Sequence, residues 1–107
     1  DLDYSGVVAQ LIPKGRDPTQ TSQALSDLTS YLETEVCYGW THDALEKACR
    51  DFCEKTGWKT KELFMPIRIA VTGRAASPPL FETMVAIGKD LTRRRLRLAA
   101  QYLNKQD

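Results

Sequence analysis

The chain has 107 residues, 42% of them hydrophobic and 27% charged, which fits one globular domain and no apolar run long enough for a membrane span of roughly 20 residues. Its net charge of +1 hides an asymmetry: up to Gly57 five bases face ten acids, a net of −5, and from Trp58 onward ten bases face four acids, a net of +6. A strongly acidic or basic partner is therefore not demanded by the whole chain, but the second half can offer a phosphate-binding face.

Helical periodicity dominates, and β-alternation is nowhere sustained. The opening residues carry Val7, Val8, Leu11 and Ile12 and read as the tail of a helix, ended by Pro13, Gly15 and Pro18. A second helix is expected over about Thr21 to Glu33, with Ala24, Leu25, Leu28 and Leu32 on one face. Val36 to Trp40 is a connector. Thr41 is placed to cap a third helix, since its hydroxyl can accept from a first-turn amide. Leu45, Ala48, Cys49, Phe52 and Cys53 repeat there at the spacing of a buried stripe, and Gly57 is the stop.

Pro66 divides the next pattern, so a short turn over Thr60 to Phe64 and a new helix from about Met65 to Thr72 are expected. Gly73 follows as a stop. Ser77, with Pro78 and Pro79, sets the entry of a helix whose core face is Leu80, Phe81, Met84, Val85 and Ile87. Gly88 breaks it, and a last helix runs from about Asp90 to Leu103, burying Leu96, Ala99, Ala100 and Leu103. The fold class is all-α: a compact bundle of about five to six helices, with Cys49, Phe52, Ile69 and Leu96 in its core.

Little in the chain suggests catalysis. Cys37, Cys49 and Cys53 are an odd count, as expected of free thiols in a reducing cytoplasm rather than of a disulfide framework. Cys49 and Cys53 lie on an apolar stripe, where buried cysteine is common, so no metal site is assigned. The sole histidine, His42, follows a helix cap and reads as exposed, whereas a nucleophilic pair needs a base held against a thiolate in a cleft. No phosphate-cradling glycine loop is present.

The arginines are the better lead. Arg93, Arg94, Arg95 and Arg97 cluster on the last helix, either as a solvated face or as phosphate contacts. Arg68 sits among Pro66, Ile67, Ile69, Ala70 and Val71. A guanidinium there needs a carboxylate, or a ligand such as a nucleotide base; the residues leave both open.

Three stretches carry a resemblance: Leu63-Phe-Met-Pro-Ile-Arg-Ile-Ala-Val-Thr-Gly-Arg, Ser77-Pro-Pro-Leu-Phe-Glu, and Ile87-Gly-Lys. With Trp40-Thr and Gly57-Trp-Lys, they resemble the C-terminal anticodon-binding domain of bacterial glutamyl-tRNA synthetases. The likeness is specific from about Trp40 to Leu103. It implies that residues 1–35 end the preceding helical subdomain and that residues 36–107 form the C-terminal one. It also implies recognition of the anticodon of tRNA(Glu), with tRNA(Gln) left open as a second partner.

The family's anticodon-reading arginine falls on Arg68. The loop that closes around the first anticodon base falls on Ser77, Pro78 and Leu80, and an arginine approaching the stem-loop falls on Arg50. Apart from the resemblance, Arg93 and Arg94 are the arginines of the last helix expected to contact phosphates if that helix touches RNA at all. The resemblance implies a monomeric module of a cytoplasmic ligase that attaches glutamate to tRNA with ATP and magnesium. The family's ATP-binding motifs, of the His-Ile-Gly-His and Lys-Met-Ser-Lys-Ser types, are absent from these residues. The chain, whose first residue Asp1 reads as a cut from a longer protein, is thus expected to hold no cofactor and to be non-catalytic alone. A different class of function, a helical protein–protein interaction module, is the competing expectation.

Overall fold

Residue patterning and caps account for each element of the computed structural model, which describes residues 4–36, 39–74 and 79–105. A 3-10 turn, Ser5–Val7, leads into the short α1, Val8–Leu11. The long α2, Pro18–Glu35, follows, then α3, His42–Thr56; α4, Thr60–Thr72; α5, Leu80–Ile87; and α6, Lys89–Asn104. Among the described residues there is no strand, and the all-α bundle expected from the sequence is what forms.

Pro18, expected to help end a helix, instead begins one. It occupies the first turn of α2, where its missing amide would be unpaired anyway. Asp17 caps it: the Gln20 amide donates to Asp17 Oδ1 at 2.7 Å, and the Asp17 amide donates to Gln20 Oε1 at 3.1 Å. For α3 the expected cap is found, the Ala44 amide donating to Thr41 Oγ1 at 3.3 Å. Gly57 ends that helix with φ of 82°, a left-handed conformation that side chains other than glycine's disfavour.

Pro66 does not divide α4. One helix runs through it from Thr60 to Thr72. The proline removes one helical donor, but Leu63 and Ile67, fully buried, lie one turn apart across it on a single apolar face. Burial of that continuous face outweighs the local penalty of about 3 kcal/mol. α5 starts at Leu80, with Pro79 in the cap position; the expected cap Ser77 and its neighbour Pro78 lie outside the described residues. Val85, expected in the core face of α5, is 38% exposed.

The core is one cluster that draws on every helix from α2 to α6. Cys49, Phe52, Ile69 and Leu96 are all in it, as expected. Its main layer is α2 against α6, where Leu25, Leu28, Leu96 and Leu103 are fully buried, each contributing about 2–3 kcal/mol of apolar transfer. Ser22 Oγ donates to the Ala100 carbonyl at 2.7 Å and fixes the register of that pair. On the other side, Trp40 Nε1 donates to the Met84 carbonyl at 2.8 Å, tying the connector before α3 to α5.

Candidate nucleic-acid interface

Three helices bring three aromatic rings and two arginines to one region. Phe64, on α4, meets Phe81, on α5, edge to face with centroids 5.4 Å apart. His42, in the first turn of α3, meets the same Phe81 ring at 5.8 Å, again edge to face. Arg50, two turns further along α3, holds its guanidinium carbon 5.6 Å from the Phe64 centroid. Such edge and cation contacts are individually worth about 1 kcal/mol. Their effect here is positional: they lock α3, α4 and α5 together at the start of α5.

Arg68 lies one turn beyond Phe64 on α4, so the two side chains share a helix face. Arg68 is half-buried, and its Nε is buried with no hydrogen-bond partner. Among the described residues no carboxylate pairs with its guanidinium. Of the two needs that the sequence leaves open, a carboxylate is therefore not the one met within the described fold. An unpaired buried donor costs about 1–3 kcal/mol, which a bound acceptor would remove.

The helix around Arg68 is held firmly. Thr72 Oγ1 donates to the Arg68 carbonyl at 2.7 Å, and the Gly73 amide donates to the Ile69 carbonyl at 2.6 Å. Gly73 adopts φ of 76° to close the helix. At the other end of α4, Glu62 Oε1 accepts from the Lys59 amide at 3.0 Å and from Arg16 Nη2 at 3.3 Å. These donors, the Lys59 amide first and Arg16 second, hold the Glu62 carboxyl below its ordinary range.

The other expected site residues fall in distinct settings. Arg50 is exposed and pairs with Glu46 one turn back at 3.0 Å. Such an exposed pair within one helix is worth only a few tenths of a kcal/mol, so a phosphate can displace Glu46 at little cost. Leu80 is buried at the start of α5, and the amides of that first turn have no helical acceptor. Ser77 and Pro78 lie outside the described residues. Arg93 and Arg97 are partly exposed and pair with one carboxylate: Arg93 Nη1 lies 3.3 Å from Glu33 Oε1, and Arg97 Nη2 lies 3.0 Å from the same oxygen. Two arginines of α6 thus clasp one carboxylate of α2.

Sequence reasoning missed Phe64 and Phe81 as a joint between helices. The available signal was slight: Phe64 precedes Arg68 by one turn. For Cys49 and Cys53 the setting is buried; burial pushes the Cys49 thiol up to about 12 and raises that of Cys53. Among the described residues no group of three His, Cys, Asp or Glu side chains could hold a metal ion. Nor, among them, is any helix long and apolar enough to cross a membrane.

A sequence model of the anticodon-binding domain matches residues 7–100. The chain is 46% identical over 93 residues to the glutamate–tRNA ligase of Roseiflexus sp. strain RS-1, covering 87% of this chain and 18% of that protein. It is 40% identical over 96 residues to the glutamate–tRNA ligase of Herpetosiphon aurantiacus, covering 90% and 19%. Against that of Solibacter usitatus the identity is 36% over 95 residues, covering 89% and 20%. The chain therefore spans about a fifth of the length of these curated relatives.

Proposed function

The chain belongs to the anticodon-binding domain family, and from that premise we propose that it reads the anticodon stem-loop of tRNA(Glu) as the C-terminal part of a glutamate–tRNA ligase. The observation that carries this reading is the Arg68 guanidinium, half-buried on α4 with an unpartnered Nε. Loop bases of RNA can be splayed out, stacked on a guanidinium plane and read along their edges. Arg68 supplies the plane and the donors. Ser77 and Pro78, which precede α5 in the chain, would supply backbone groups, and Leu80 at the start of α5 an apolar contact. Arg50 attracts the phosphate chain of the stem-loop, and Arg93 and Arg94 add phosphate contacts from α6.

On this reading the chain works as a monomeric module in the cytoplasm and positions tRNA for a reaction carried out elsewhere in the longer ligase. That reaction joins glutamate to tRNA using ATP and magnesium. No step of it is assigned to these residues. No observation favours a protein–protein interaction module instead.

The test is binding of anticodon stem-loop RNAs to the chain at several salt concentrations. One RNA carries the tRNA(Glu) anticodon, a second carries that of tRNA(Gln), and a third carries an unrelated anticodon. The expected result is tighter binding of the first than of the third, with affinity falling as salt rises by a logarithmic slope of about 0.7 per neutralised phosphate. The second RNA reports whether tRNA(Gln) is also accepted. Equal affinity for the first and third RNAs overturns anticodon reading.

A further inference from the structure

The C-terminal turn of α4 follows Arg68 directly and would ordinarily leave its last carbonyls without helical donors. Here two side chains from remote parts of the chain supply them. Tyr4 Oη donates to the Ala70 carbonyl at 2.6 Å, and Arg95 Nη1 donates to the Val71 carbonyl at 2.8 Å. The two donors are themselves linked, because Tyr4 Oη lies 3.2 Å from the Arg95 carbonyl. Tyr4 is buried, and its ring leans on Tyr102 of α6 with centroids 5.9 Å apart. Burial also pushes its phenol up to about 12, against the opposing pull of Arg95, so the hydroxyl keeps its proton and remains a donor at any working pH.

We propose that Tyr4 and Arg95 form a positioning bracket for anticodon reading: by satisfying the Ala70 and Val71 carbonyls they hold the last turn of α4 against α6 and so fix the pose of Arg68. The proposal rests on the reading of Arg68 as the anticodon-contacting residue. Neither member of the bracket needs to touch RNA. A simple cap could be supplied by water, as at most exposed helix ends. A buried phenol and a guanidinium from two different segments do something water does not, which is to tie the turn to the rest of the bundle. The bracketed carbonyls, Ala70 and Val71, stand two and three residues after Arg68 on the same helix.

The experiment is a mutant cycle on the full chain with two readouts. Tyr4→Phe and Arg95→Met each remove a donor and keep bulk. Each is made alone and together with Arg68→Ala, and all variants are measured well below their melting temperatures. The first readout is amide hydrogen exchange in the turn from Ile69 to Gly73; the second is the affinity ratio for native and substituted anticodon stem-loops. Tyr4→Phe should speed exchange in that turn by about 2- to 10-fold, the range expected for removal of one hydrogen bond. It should also lower the affinity ratio at least about twofold in the wild-type background and not at all in the Arg68→Ala background.

Unchanged exchange in both variants overturns the bracket whatever the RNA does. Faster exchange with an unchanged ratio, or with the same fall in the ratio in both backgrounds, shows a structural cap only and also overturns it. If Arg68→Ala itself leaves the ratio unchanged, the reading of Arg68 fails, and the bracket's role in recognition falls with it.

Discussion

Phe64 and Phe81 stand edge to face, their centroids 5.4 Å apart, so the helix that carries Arg68 packs directly on the helix that starts at Leu80. Phe81 is 8% exposed and also receives the edge contact of His42. Phe81→Ala should therefore cost about 3–5 kcal/mol, the usual range for a buried phenylalanine. In a domain of this size each kcal/mol lowers Tm by about 4–8 °C. Phe81→Leu, which keeps most of the volume, should recover most of the stability and leave the α4–α5 joint looser. A thermal melt of both variants checks this, and a Phe81→Ala chain that melts like wild type would contradict the packing.

The acid side of the stability curve should depend on Glu62. Its carboxyl is held below the ordinary 4.5, first by the Lys59 amide and then by Arg16. A carboxylate whose folded pKa is lowered adds stability that is fully present above its unfolded pKa and is lost as pH falls through the folded one. The chain should thus lose this contribution below about pH 4.5. Glu62→Gln should be less stable than wild type at pH 7 and approach it near pH 3, measured as the gap between the two Tm values.

Cys49 and Cys53 should be inert thiols. Burial pushes Cys49 up to about 12 and raises Cys53 as well, so neither holds a useful thiolate fraction at pH 8. Alkylation followed by peptide mapping should leave both unmodified in the folded chain and modify both in denaturant. Rapid labelling of either in the native chain would place α3 wrongly.

The fold was largely legible, and the reason lies in where its information is local. The stripe from Leu45 to Cys53, its Thr41 cap and its Gly57 stop all belong to one short segment, and each stands where the pattern puts it. Pro66 was misleading because its penalty is local while the face it shares with Leu63 and Ile67 is stabilised by the rest of the bundle. Arg68 was legible as an anomaly, a charge in an apolar run. Its lack of a described carboxylate partner was not, since partners can come from anywhere in the chain. The same holds for the Arg97–Glu33 pair, 64 residues apart, and for Tyr4 and Ala70, 66 apart.

Glu33 should set how much the α6 arginines contribute to RNA binding. It sits 3.3 Å from Arg93 and 3.0 Å from Arg97, each partner side chain between a third and three-fifths exposed. At that exposure the pairs are worth about 0–1 kcal/mol each, so Glu33→Gln should leave the fold intact. It should also release positive charge and raise affinity for all stem-loops alike. Neutralising Arg93 and Arg94 should weaken all of them alike and reduce the salt slope by about 0.7 for each phosphate left without its arginine. A salt titration of the three chains decides it. An unchanged slope in the Arg93 and Arg94 variant would mean that α6 stays off the RNA.

Arg68 offers the sharpest separation of stability from function. A residue kept for folding should destabilise the chain when removed. Arg68 has a buried Nε without a partner, so Arg68→Ala removes a desolvated donor along with some packing of its stem. Its effect on Tm should therefore be small and of either sign, within about 1 kcal/mol. Its effect on RNA should be large by comparison, a loss of about 1–3 kcal/mol for the native anticodon, which is the usual worth of a stacked or bidentate arginine. The loss should be much smaller for a substituted anticodon, so the ratio between them collapses. Arg68→Lys should restore charge without restoring the ratio, because an ammonium neither stacks nor forms a planar fork. Binding of the two stem-loops to wild type, Arg68→Ala and Arg68→Lys, beside a melt of each, measures both effects together. A large fall in Tm with an unchanged ratio would make Arg68 a structural residue and move the reading of the anticodon elsewhere in the fold.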